Sequence, residues 1–502
     1  MTEIDRLEVL TSLELSNLFE AAQESDVDQA FSILKLIASR AYADEDYAAM
    51  ATWNKRLAEF AEENLRMNVS ADAQYFTGLA LFLQDEESQA LSHFEIAESI
   101  NETLGRDAEI LDCLMNQMDC YECLENRRKV IEIGERALNV ARVGERYWVA
   151  GQTALKIANA YYFLDEDTFS DLSEENFQIA LQYAEMAIDY FTNSGDTEKV
   201  ADATEEVSDL LTITNRDSEA LEKIQTAIDL LQGLKADEDF RRQSLSGMYL
   251  SKGTILSKLG KHELSIEALD KAISIKSQMS EDSREGGTLS LMFWHKGSAL
   301  SNLGRRKEAL EALEIGLNTA RLAGEFGLYY RILEEQVWVL FQEDRDLEAL
   351  FIARGAIAEY ERQVSKILKS YVFIGFVLAA GECLINLERW PELLETLEKI
   401  NLVQDYLIPL NRVLRLDRQK VNALYHLGNY AEALILLDII LDEIDENNPD
   451  EDIAECLEIR GKIKFEKSPN SAVADLQLAV EIYKLTGYED RAQELIAKYK
   501  LA

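Results

Sequence analysis

Small residues recur in this chain as pairs seven positions apart, at intervals of about forty residues. Ala90 and Ala97, Val130 and Ala137, Ala180 and Ala187, and Ala220 and Ala227 begin the series. Ser265 and Ala272, Ala309 and Gly316, Ala349 and Ala356, and Ala472 and Ala479 continue it. Seven residues are two helical turns, so each pair marks one face of one helix. Small side chains there let a second helix approach closely. A repeat in this range predicts stacked helical hairpins, whose length is not limited by a single core. Long runs rich in Ala, Leu and Glu, no alternating strand pattern and only four prolines make the expected class all-α.

The clearest unit runs from Ser246 to Met279, with Tyr249, Gly253, Leu256, Gly260, Ser265, Leu269 and Ala272. The next, from Ser290 to Ala323, has Phe293, Gly297, Leu300, Gly304, Ala309, Leu313 and Gly316. An earlier one shows Gly78, Leu81, Ala90, Phe94 and Ala97. These spacings resemble the tetratricopeptide repeat. The resemblance implies a right-handed superhelical solenoid of antiparallel helix hairpins. HEAT-type repeats share the period, but Gly and Ala in both helices favour the tetratricopeptide form. Units near 111, 201, 330 and 414 lack the turn glycine or the aromatic, and the unit near 374 has Leu394 where Ala is expected. The period exceeds the roughly 34 residues usual for such repeats.

The expected organisation is an N-terminal helical segment with a degenerate first repeat around Ala49 (residues 1–70), a repeat array (71–487) and a C-terminal capping helix (488–502). One interval, Val130 to Ala180, is fifty residues. Its excess is the acidic stretch DEDTFSDLSEE at 165–175, expected as a loop within one hairpin. Asp165, Asp167 and Asp171 superficially suggest a calcium loop. Phe169, Ser170 and Asn176 stand where an oxygen ligand, the turn glycine and the bidentate Glu belong.

Formal net charge is −42, and residues 1–250 hold 51 acidic against 20 basic side chains. That balance argues against nucleic acid or an anionic membrane as the general partner and favours a protein or peptide with a basic segment. The N-terminal residues lack an apolar signal core, and the most apolar run, Tyr371 to Gly381, is too short to span a bilayer. Five cysteines suggest no disulfide framework, so a cytoplasmic setting is expected.

In the family it resembles, the first helix of each hairpin lines a concave groove, with ligand contacts at positions 2, 5, 9 and 12 of each unit. That mapping selects Asp112, Asp119 and Glu122, then Asn159 and Tyr162, then Asp202, Glu205 and Asp209. Further on it selects Trp294, Trp338, Arg415, Arg418 and Asn422. The expectation is a groove acidic at one end, aromatic in the middle and basic at the other. Carboxylates would hold Lys or Arg, the tryptophans would act as anchors, and the two asparagines would hold a ligand's backbone.

No catalytic motif accompanies this surface. Cys113, Cys120 and Cys123 share one predicted helix but lack a second ligand pair, and the four histidines lie in other units. There is no phosphate loop, nucleophile elbow or H-E-x-x-H. No metal or cofactor is expected, and no enzymatic activity. The leading expectation is a scaffold binding a partner segment in its groove. Alternatives are a peptide-sensing receptor without a DNA-binding domain and a structural subunit of a larger assembly.

Overall fold

In the computed structural model, the described residues are 10–164, 173–234, 238–279, 286–362, 370–403, 408, 410–442, 451–467 and 469–501. They form helices and no strand. The order is α1 (Ser12–Ala22), α2 (Val27–Ala43), α3 (Tyr47–Glu63), α4 (Met67–Phe82), α5 (Glu87–Leu104) and α6 (Asp107–Cys123). It continues with α7 (Arg127–Val143), α8 (Tyr147–Tyr162), α9 (Glu174–Ser194), α10 (Thr197–Ile213), α11 (Asp217–Gln232) and α12 (Glu238–Lys258). Next come α13 (His262–Ser277), α14 (Gly286–Asn302), α15 (Arg306–Leu322), α16 (Phe326–Gln342), α17 (Asp346–Arg362) and α18 (Ser370–Asn386). The last are α19 (Trp390–Glu398), α20 (Leu410–His426), α21 (Tyr430–Asp442), α22 (Glu451–Lys467), α23 (Pro469–Leu485) and α24 (Glu489–Tyr499). Even-numbered helices from α2 to α22 are the first helices of their hairpins, and the odd-numbered ones that follow are the second.

The chain divides into two compact units, residues 1–255 and 256–502, with the boundary inside α12. In the first, Leu15 and Phe19 of α1 pack over the first hairpin, the Phe19 ring meeting Phe60 edge-on at 5.5 Å. In the second, Ala492 and Leu495 of α24 join the core made by Ala472, Leu476 and Ala479. In both, consecutive helices pack antiparallel, and first helices of successive hairpins, such as α4 and α6 or α18 and α20, touch one another. Among the described residues no helix is long and apolar enough to cross a membrane.

The paired small residues are where the hairpins close. Ala90, Ala97, Ala137, Ala180, Ala187, Ala309 and Ala349 have no exposed surface. The glycines facing them are held by contact. A Cβ on Gly78 would stand 2.9 Å from the Phe94 ring, and one on Gly297 or Gly461 would stand 2.6 Å from Leu313 or Leu476. Those distances are below any Cβ contact, so the first helix rests its backbone on the large side chain of the second.

Local signals set helix length. Residues Glu45, Leu65, Asp85, Gly105, Glu125 and Glu145 follow one another at twenty-residue steps with φ between 53° and 67°. The next residue's N–H returns to the carbonyl five before it: Asp46 to Ala41, Arg66 to Ala61, Glu86 to Leu81, Arg106 to Asn101, Asn126 to Tyr121 and Arg146 to Ala141. This left-handed closure satisfies carbonyls at a helix end. The same residue then opens the next helix. Asp46 and Asn126 also cap it, accepting from the N–H groups of Ala49 (2.9 Å) and Lys129 (3.2 Å). The turn is therefore short, two to four residues between helix ends. Where Glu, Leu or Asp holds the left-handed position, the glycine that a repeat pattern looks for is missing while the geometry is kept.

The last two residues of the acidic stretch, Glu174 and Glu175, open α9, the second helix of the hairpin that α8 begins. Residues 165–172, and with them the calcium-loop residues Asp165, Asp167, Phe169, Ser170 and Asp171, lie outside the described residues. Asn176 lies in the first turn of α9, its N–H donated to the Ser173 hydroxyl.

Gly78→Ala is expected to cost about 1–3 kcal/mol, by forcing a methyl into the Phe94 ring. Gly355→Ala, whose Cβ would meet nothing within 4 Å, should instead stabilise by roughly 0.5–1 kcal/mol. Denaturant titration of the two variants checks the contrast. Leu65 is 85% exposed and holds φ at 57°. Leu65→Gly should therefore raise stability by about 0.5–1 kcal/mol, relieving left-handed strain, which the same titration would register.

Candidate functional site

The residues selected from the sequence fall on both units. In the first, Asp112, Asp119 and Glu122 lie on α6, Asn159 and Tyr162 on α8, and Asp202, Glu205 and Asp209 on α10. They fall into two electrostatic classes. Lys156 of α8 places its ammonium 2.7 Å from Asp119 and 2.5 Å from Glu122. Burial works against that ammonium, but the two carboxylates outweigh it and raise its pKa. Asp202 is 2.9 Å from Lys199 on its own helix. These three carboxylates are already neutralised. Asn159 is exposed, and Tyr162 is half-buried with its ring 4.6 Å from Phe163.

Asp112, Glu205 and Asp209 have no ion-pair partner among the described residues; Asp112 and Asp209 reach solvent, but the atoms around each carboxylate take away part of its hydration. Burial raises the Asp112 pKa, with Arg146 working against it. Burial, then the charges of Asp209, Asp202 and Glu206, push Glu205 up to about 8, although the Ser251 hydroxyl on α12 donates to it. Burial and Glu206 push Asp209 to about 6. Carboxylates one and two turns apart on one helix repel each other when ionised, and the proton relieves that repulsion. Glu206 and Ser251 are members of this cluster that the position rule does not select. Lys156, 34 residues beyond Glu122, is likewise outside the position rule.

In the second unit the selected residues satisfy one another. The Arg331 guanidinium of α16 lies 4.7 Å from the Trp294 ring centre and 5.6 Å from that of Tyr371. Glu335 accepts hydrogen bonds from the Trp294 indole and from Ser298. Arg415 covers Trp338 at 5.3 Å. Arg418 of α20 is paired with Glu382 of α18 and, at 3.0 and 2.9 Å, with Asp452 and Glu455 of α22. Burial opposes that charge, but the three carboxylates raise its pKa further. Asn422 is buried and donates to Glu455 at 3.1 Å. The expected basic end is thus compensated: Arg418 braces three neighbouring first helices, and Asn422 is tied into the same brace. Glycines make the room. A Cβ on Gly375 would lie 1.8 Å from the Glu334 carboxylate, and one on Gly381 2.1 Å from Gln419.

Cys113 and Cys120 are buried, which pushes both thiols up to about 12, and Cys123 is exposed. Among the described residues no group of three or more His, Cys, Asp or Glu is placed to hold a metal ion.

An array of antiparallel hairpins closed by small residues, with successive first helices braced to one another, defines a helical-repeat solenoid protein. Residues 246–279, the unit with the clearest pattern, match the tetratricopeptide repeat family model. The chain thus carries a tetratricopeptide repeat at this unit. None of the curated proteins matches it. Among solved structures it is similar to the apo quorum sensor NprR from B. thuringiensis, with 14% identity over 76% of this chain and 100% of that one, at a TM-score of 0.48. It is also similar to a tetratricopeptide repeat protein from Parabacteroides merdae, with 15% identity over 60% and 98% of the two chains and a TM-score of 0.40. The APC/C hetero-tetramer Cut9–Hcn1 aligns at 13% identity over 97% and 99%, with a TM-score of 0.40.

Glu205 gives a pH test. Its folded pKa, about 8, lies above its ordinary value of 4.5. The folded state therefore binds more protons between those values, and stability falls as pH rises from about 4.5 to 8. Glu205→Gln should stabilise the protein at pH 8.5, on the order of 1–2 kcal/mol, and change little at pH 4. Calorimetric melting at the two pH values measures it; equal shifts at both would contradict the assignment.

Proposed function

We propose that this protein is a non-enzymatic interaction scaffold whose first unit binds a basic segment of a partner along its first-helix face. The observation that carries the reading is the unpaired set Asp112, Glu205 and Asp209, on a surface where the neighbouring carboxylates are already matched by lysines. An unpaired, partly desolvated carboxylate gains most from an incoming Lys or Arg. The aromatic and arginine residues of the second unit contribute less on this reading, since their ring faces and charges are engaged within the fold. Binding is contact and positioning, with no bond made or broken.

The charge state makes binding pH-linked. A cation beside Glu205 and Asp209 favours their ionised forms, so complex formation releases protons and strengthens as pH rises from about 6 to 8. The test is calorimetric titration with a lysine-rich peptide. The double variant Asp112→Lys, Asp209→Lys should weaken binding about tenfold or more and flatten its salt dependence, and Glu205→Gln should reduce the pH dependence. Unchanged affinity and salt slope in the double variant would sink the reading.

A further inference from the structure

The first unit also holds an apolar cavity of about 370 Å³ between α2, α3 and α4, away from the carboxylates on α6 and α10. Its floor is buried apolar surface: Met50 is 1% exposed and Ala73 1%. At its mouth stand two rings left open to solvent, Tyr42 at 56% and Phe76 at 43% exposure. Tyr42 and Phe76 come from the first helices of successive hairpins, so the mouth lies on the first-helix side of this unit. A concave apolar site of this size, with rings at the rim, suits one large apolar side chain.

Charge at the mouth is uneven. Asp72 is held at 2.9 Å by Arg106, which precedes α6. Lys35, on the α2 wall, is exposed and has no ion pair among the described residues. On the other side, Phe76 lies 5.5 Å ring to ring from Tyr75, whose hydroxyl accepts from Asn116 of α6 at 3.1 Å. Asn116 stands one turn after the unpaired Asp112, and after burial it is Asp112 that raises the Tyr75 pKa most. The cavity mouth is thus linked through Phe76, Tyr75 and Asn116 to the helix that carries the unpaired Asp112, with the Lys35 ammonium on the α2 side.

We propose that this cavity is the anchor subsite for a peptide segment carrying one bulky apolar side chain next to a lysine or arginine. The apolar side chain fills the cavity, and the basic residue lies towards Asp112 because Lys35 repels it from the α2 side. Direction along the face is thereby set. This rests on the reading of the first-helix face as a peptide groove, and it adds the anchor and the orientation.

The experiment is fluorescence anisotropy with the full-length protein and a short labelled peptide bearing one tryptophan followed by lysines. Two control peptides accompany it, one with the tryptophan replaced by alanine and one with the lysines replaced by glutamate. Ser39 lines the cavity yet is exposed, so Ser39→Trp covers the mouth without entering the core; a melting curve verifies that it folds. The tryptophan–lysine peptide should bind about tenfold tighter than either control. Ser39→Trp should remove the advantage of tryptophan over alanine, and Asp112→Lys that of lysine over glutamate.

If the alanine control binds equally well and Ser39→Trp changes nothing while salt-sensitive binding persists, the anchor is overturned and the groove reading stands. If no peptide binds at any salt concentration, both fail. If Ser39→Trp instead dissolves a self-associated form of the protein in sedimentation, the occupant is a second copy of the chain and the peptide assignment is overturned.

Discussion

The structure depends on one contact, repeated: the backbone of a hairpin's first helix resting on a large side chain of its second. At Gly78 the partner is Phe94, at Gly297 it is Leu313 and at Gly461 it is Leu476. A helix axis can come this close only where the facing residue lacks a Cβ or carries a methyl at most. Because each hairpin buries only part of its apolar surface alone, this approach also shapes the face on which the next hairpin stacks. Phe94 and the paired alanines around it thus serve both the closure of one hairpin and the seating of its neighbour.

A second tier of contacts runs across the first helices. Arg106 reaches Asp72, Lys156 reaches Asp119 and Glu122, and Arg418 reaches Glu382, Asp452 and Glu455. In a chain of net charge −42, cations are outnumbered, and these are held inside the braces. This explains why the surface left for a partner is anionic. In the first unit the lysines take Asp119, Glu122 and Asp202 and leave Asp112, Glu205 and Asp209 unmatched. In the second unit the arginines, tryptophans and carboxylates account for one another.

The hairpin architecture is legible in the sequence because small residues at fixed spacing have one main use in a helix, which is close approach. Seven-residue pairs such as Ala180 and Ala187, or Ala309 and Gly316, need no tertiary information to read. The turns are less legible. At Glu45, Leu65, Asp85, Glu125 and Glu145 the backbone takes the left-handed form without glycine, since the hydrogen bond from the next residue offsets the strain of a Cβ there. A motif search for a turn glycine fails at such positions even though helix length is regular. The cavity beside Tyr42 and Phe76 escapes the sequence for a similar reason. Its walls come from three helices, and no local pattern distinguishes an exposed ring over a cavity from one over solvent.

The sequence alone determined the class of fold, the register of the repeat, the fifty-residue interval and the acidic bias of the first half, because each is a property of residue type and spacing. Which carboxylates are free was decided only by the tertiary structure. Asp112 and Asp119 are equivalent by position and both acidic, yet Lys156 from the next hairpin neutralises Asp119 and leaves Asp112 alone. Likewise Trp294 and Trp338 are open anchors by position, and stacking places Arg331 and Arg415 across their faces. Pairing of this kind depends on distances between helices one or two repeats apart in the chain, and those distances exist only once the hairpins have stacked.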